Sequence, residues 1–183
     1  MSVGDINSAE RGSGARFNSG KPDVSLIPLT LLASYFWFRH GDSDVVRGLA
    51  EVGKFQEGGD PTEDRTNLSN ALTFFGFNIK DCSDVFLYGK QKYAAWNWAK
   101  GMAWSIPIAC IGRHAERIIV HGEELDSESG LPHLGHIHCN IIMLLTYLNN
   151  YPEGDDRPIG ILGDTNDSQQ ETPSIGVETS GPQ

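Results

Sequence analysis

Two stretches in the second half of the chain, Ser105–His121 and Pro132–Asn149, repeat an apolar residue every three or four positions. In the first, Ile108, Ile111, Ala115, Ile118 and Ile119 share a face. In the second the stripe is Leu134, Ile137, Ile141, Leu144, Leu145 and Leu148. A period near 3.6 buries such a stripe only as a helix, because a strand would expose every second residue. Ser105 is expected to cap the first helix, with Pro107 in its first turn, and Pro132 to open the second.

The upstream chain reads the same way. Leu26–Phe38 is a dense apolar run and a buried helix. Asp42 or Ser43 caps a weaker helix to about Phe55, Gln56–Arg65 is a polar loop, and Asn67–Phe77 is a short helix. Asp81–Tyr93 is a further helix, followed by the Trp-rich turn Tyr93–Gly101. No two runs alternate strictly enough for a hairpin. The fold class is therefore all-α, a compact helical bundle. Residues 1–15 and 162–183 hold almost nothing apolar and are expected to be disordered, leaving 16–161 as one domain.

Composition narrows the function classes. The formal net charge is −10, and no cluster of Lys and Arg offers a grip on a nucleic acid polymer. Small anions remain open, since a metal ion can screen their charge. No apolar run is long enough for a membrane span, and Met1–Arg16 holds no hydrophobic stretch, so no secretory signal is expected. Three widely spaced cysteines, an odd number, fit a cytoplasmic location better than a disulfide framework.

Chemistry concentrates at residues 113–140. Cys110, His114, Arg117 and His121 lie on one helical face, as do His133, His136 and Asn140 on the next helix. The connector carries Glu123, Glu124, Asp126 and Glu128. Histidine and carboxylate at i, i+3 and i, i+4 spacings are the donor set of divalent cations. His121 and His138 are the incidental members, one at a helix end and one off the shared face. A second focus is Tyr93–Gly101, where Trp96 offers a stacking face, Asn97 a purine-edge partner and Lys100 a phosphate contact. A third is the basic segment Arg16–Pro22, which lacks the phosphate-loop pattern.

The strings R-F-N-S-G-K-P-D at 16–23, Y-G-K-Q-K-Y-A-A-W-N-W-A-K-G at 88–101, G-R-H at 112–114 and G-E-E-L-D-S-E-S-G-L-P-H-L-G-H-I-H-C-N at 122–140 cover about a third of the chain. In this order they resemble the MazZ-type dATP/dGTP diphosphohydrolases of phages, relatives of the MazG all-α nucleotide pyrophosphohydrolases. The resemblance implies cleavage of dGTP, GTP or dATP between the α and β phosphates, with two or more Mg²⁺ or Mn²⁺ ions and a dimeric or tetrameric assembly. It also implies depletion of dATP and supply of dGMP in phages that use 2-aminoadenine. Glu123, Asp126, Glu128, His114, His133 and His136 are the expected metal ligands, and Glu123 or Glu124 the base. Arg113, Lys21 and Lys100 are expected on the phosphates, Trp96 and Asn97 on the purine, with Arg16, Asn18, Lys92 and Asn140 as further nucleotide contacts. The wider superfamily pairs an E-x-x-E helix with a later E-x-x-D helix. Here His133 and His136 stand at the second spacing, so either the histidines take ligand positions or the connector carboxylates supply them. The alternative from another class is a purine-nucleotide sensor without turnover.

Overall fold

The computed structural model describes residues 8–16 and 20–161. Among them are six α-helices: α1 (Leu29–His40), α2 (Asp44–Glu57), α3 (Pro61–Phe74), α4 (Ile79–Tyr93), α5 (Ser105–His121) and α6 (His133–Asn150). Three short 3₁₀ turns accompany them, one before α1, one between α4 and α5 and one after α6, and the described residues contain no strand, only an isolated bridge between Leu125 and Pro132. The expected all-α class is what the chain forms.

Three of the six α-helices start at a capping side chain. Ser43 accepts from the Val46 N–H, and Asn78 from those of Lys80 and Asp81. The helix expected from Asn67 begins at Pro61, inside the stretch read as loop. Asp60 caps it, accepting from Thr62 and Glu63, and Pro61 supplies the preset φ of the first turn. It stops at Phe74 rather than Phe77 because Gly76, at φ +64°, turns the chain back so that Phe77 N–H reaches the Leu72 carbonyl. α1 begins at Leu29, three residues late, since Pro28 holds Ile27 extended. The buried amide of Gln56 serves that start, accepting from Leu29 N–H at 2.8 Å and donating to the Ser25 carbonyl. Ser105 is the first residue of α5 and not its cap. Its N–H and hydroxyl both donate to Asp156, 2.8 and 2.6 Å away.

α6 is the axis of the molecule, packed against α3, α4 and α5. Ile137, Ile141, Leu144 and Tyr147 are fully buried on it, and the polar face suggested by the sequence, His133, His136 and Asn140, is buried too, as is His138 off that face. Gly135 lets α4 come close, since a Cβ there would stand 2.8 Å from the Asp81 carbonyl. At the far end Arg157 ties the last segment down. It pairs with Asp64 at 2.9 Å and Asp155 at 2.7 Å, and lies over the Phe55 ring. Residues 8–16, whose composition offers little to bury, run along the 97–101 turn, with Gly12 and Gly14 N–H donating to the Lys100 and Gly101 carbonyls.

Candidate functional site

The connector between α5 and α6 is a compact turn. Gly122 closes α5 at φ +63°. The Asp126 carboxylate then accepts from both the N–H (2.9 Å) and the hydroxyl (2.8 Å) of Ser129, as short polar side chains do to stabilise turns. His133 N–H donates to the Glu124 carbonyl, anchoring the α6 start to the same turn. Asp126 is thereby carried to the two histidine-bearing helices. His114 Nδ1 and His133 Nδ1 stand 2.7 Å apart, and donor atoms of His114, Asp126 and His133 all lie within 4.8 Å of one another. His136 stacks on His114 with ring centroids 4.5 Å apart, and its Nε2 meets the Ser129 hydroxyl at 2.8 Å and Asp126 at 3.8 Å. Glu123 Oε2 stands 3.6 Å from His133 Nε2, too far for a hydrogen bond, and Arg117 holds the other oxygen at 3.2 Å.

This cluster suits a divalent cation. His133 is 2% exposed, and its Nε2 is buried with no hydrogen-bond partner, a costly arrangement that a cation would relieve. Burial first, and then the neighbouring His114, keep the His133 pKa below the ordinary value and push that of His136 down to about 3. Both are therefore neutral, lone-pair donors at pH 7. Burial works against an ionised Asp126, but the Ser129 hydrogen bonds outweigh it and hold its pKa below the usual range.

The cluster opens into a cleft of about 970 Å³ between α4, α5, α6 and the N-terminal segment. The overall charge of −10 hides what lines it. Arg16, Lys21, Lys90, Lys92, Arg113 and Arg117 bring six of the chain's 14 cations, against three of its 24 carboxylates, Glu123, Asp126 and Glu128. Arg16 lies deepest. It donates to Asn140 Oδ1 (2.8 Å) and to the sulfurs of Cys110 (2.8 Å) and Met143 (3.8 Å), with no carboxylate among the described residues that bond to it. Burial opposes ionisation of the Cys110 thiol, yet Arg16, His114 and Arg113 outweigh it and draw the pKa down to about 5. The other half of the cleft is apolar, with Phe86 against Trp98 at 5.1 Å and Trp96 at 5.9 Å beyond it.

Of the residues singled out by sequence, His114, His133, His136, Glu123 and Asp126 come together, with Arg113, Arg16 and Asn140 beside them. Glu128 is turned away to Lys21 and Lys92 at the cleft mouth. Glu124 gives the turn a backbone carbonyl, and its side chain and that of Lys100 are not part of the described lining. Both ends of the Asn97 amide are engaged by the backbone of Ala15, which makes it a clamp on the N-terminal segment. Asn18 lies outside the described residues. His138 is structural, its Nε2 3.1 Å from the Phe75 carbonyl, and His121 pairs with Glu116. Sequence reasoning missed Phe86 and the Cys110–Arg16 contact. Cys110 falls on the His114 face one turn earlier, a signal that was available.

A family model described as the dATP/dGTP diphosphohydrolase N-terminal domain matches residues 63–157, from α3 through the segment after α6. The chain belongs to the dATP/dGTP diphosphohydrolase family. The match spans every connector residue discussed above, while Arg16 and Lys21 precede it. Searches of the curated proteins and of the solved structures return no match. The diphosphohydrolase is thus a hydrolase of nucleotide metabolism, as the sequence leads one to expect. In the described residues of this diphosphohydrolase no helix is long and apolar enough to cross a membrane.

Proposed function

We propose that the enzyme hydrolyses purine deoxynucleoside and nucleoside triphosphates (dGTP, dATP, GTP) at the α–β bond, releasing a monophosphate and pyrophosphate in a metal-dependent reaction. The observation that carries this is the convergence of His114, Asp126 and His133 at one end of a cleft whose lining is otherwise cationic and aromatic. His114, Asp126 and His133 would hold the cation, with His136 and Glu123 adjacent. A set this rich in imidazole favours Mn²⁺ over Mg²⁺, because Mg²⁺ prefers oxygen donors. When bound, divalent ions supply neutralisation of phosphate charge and a more acidic water.

The remaining steps belong to the chain. Arg16 and Arg113, with Lys21 and Lys92 at the mouth, hold the phosphates and offset charge as the α–β bond breaks. Arg16 is preorganised for this by Asn140 and Cys110. Glu123, steadied by Arg117, accepts the proton of the water whose oxygen attacks the α phosphorus, and the bridging-bond electrons leave with pyrophosphate. The base rests on the Phe86–Trp98–Trp96 wall, where stacking tolerates either purine. In a phage that replaces adenine by 2-aminoadenine, this reaction would deplete dATP and supply dGMP.

Copies of the chain pair through α1. Leu31, Tyr35 and Phe38 form an outward stripe, 67, 56 and 79% exposed, worth roughly 400 Å² of apolar surface, as large as a typical monomer's largest patch. Leu26 and Ile27 extend it towards the ~800 Å² per partner of a standard interface. No carboxylate occurs between Asp23 and Asp42, so this face escapes the self-repulsion of an acidic chain.

Product analysis with dGTP or dATP, and Mn²⁺ or Mg²⁺, tests the reaction. Equal amounts of monophosphate and pyrophosphate are expected, and orthophosphate as the sole phosphate product would sink it. A non-catalytic sensor would bind dGTP and yield no product over hours.

A further inference from the structure

Two lysines from separate parts of the chain meet on one carboxylate at the cleft mouth. Lys21, in the segment leading to the first 3₁₀ turn, lies 2.7 Å from Glu128 Oε2. Lys92, in the last turn of α4, lies 2.6 Å from Oε1. All three line the cleft, and each side chain is only partly exposed. A carboxylate that gives one oxygen to each of two ammonium groups presents them with the charge and forked geometry of a phosphate edge.

We propose that Glu128 is an internal stand-in for substrate phosphate, occupying the Lys21–Lys92 pair until a triphosphate displaces it, so that it sets anion affinity and selectivity. This rests on the triphosphate reading above. Two features support it. The exchange is cheap, since partly exposed ion pairs are individually weak, and an anion of higher charge wins the lysines. Glu128 sits two residues from Asp126 on the same turn, yet both of its oxygens already serve ammonium groups while Asp126 joins His114 and His133. A residue that competes in this way discriminates against singly charged anions and reclaims the lysines as pyrophosphate leaves.

The test is calorimetric titration of inorganic tripolyphosphate, in excess EDTA, into full-length wild type and Glu128→Gln. The variant is expected to bind between about twofold and thirtyfold more tightly, the range that two partly exposed ion pairs span. The gain should vanish when Lys21→Gln and Lys92→Gln are added, and KM for dGTP should fall with it. Equal or weaker tripolyphosphate binding by Glu128→Gln overturns the inference and leaves the triphosphate reading standing. So does a loss of Mn²⁺ affinity in that variant without tighter tripolyphosphate binding, which would make Glu128 a metal ligand. Tripolyphosphate that binds neither protein overturns the inference, and the triphosphate reading falls with it only if dGTP and Mn²⁺ also yield no pyrophosphate.

Discussion

His114 on α5 and His133 on α6 bring their Nδ1 atoms to 2.7 Å across the helix interface, and Asp126 from the connector closes on the same point. Residues 12 and 19 positions apart are thus joined by helix packing. If this is the metal site, Asp126→Asn and His133→Ala should each lower kcat/KM more than ~100-fold, beyond what loss of a supporting residue costs. Mn²⁺ should raise the melting temperature of the wild type and not of either variant. Full activity in both variants would remove the assignment.

Arg157 and Asp64 are each 2% exposed at the side chain, pair at 2.9 Å and do not line the cleft. Breaking a buried pair leaves one charge uncompensated, so Arg157→Ala should cost about 3–5 kcal/mol in urea unfolding. Replacing both with apolar residues of similar volume should recover most of that loss. A single variant within 1 kcal/mol of wild type would show that the pair is not structural.

Buried histidines make the fold acid-sensitive. The pKa values of His133, His136 and His138 are all depressed, chiefly by burial, so the unfolded chain binds more protons than the folded one once pH falls below about 6.5. Stability is full above that pH and is lost on acidification towards the folded-state values, down to about 3 for His136. The melting temperature of the metal-free protein should fall between pH 7 and 5, and less steeply in His138→Gln, which keeps a polar partner for Phe75. A flat profile for the wild type over that range contradicts this.

The exposed stripe on α1 predicts a dimer in solution. Leu31→Glu with Phe38→Glu should convert it to a monomer in sedimentation experiments without lowering the melting temperature of the monomeric unit. A monomeric wild type at high protein concentration would leave the stripe without this role.

The sequence by itself determined the helices with a periodic apolar face and a capping residue. The ends of α2 and α5 fall within two residues of where spacing puts them, because those signals are local. The Asp60–Pro61 start of α3 is equally local and was overlooked for a reason of weight: a polar, Gly-rich stretch precedes it and masks the cap. The neighbourhood of the site was legible too, since histidine and carboxylate at helical spacing on adjacent segments can hardly avoid meeting. Only the tertiary structure decided which of them meet. Glu123, Asp126 and Glu128 are indistinguishable in the chain, and a turn closed by Ser129 sends Asp126 to the histidines and Glu128 to two lysines from distant segments. The same holds for the positive cleft. A net charge of −10 is a sum over the whole surface, whereas affinity for a phosphate depends on the few cations that packing gathers in one place, with a low-dielectric wall behind them.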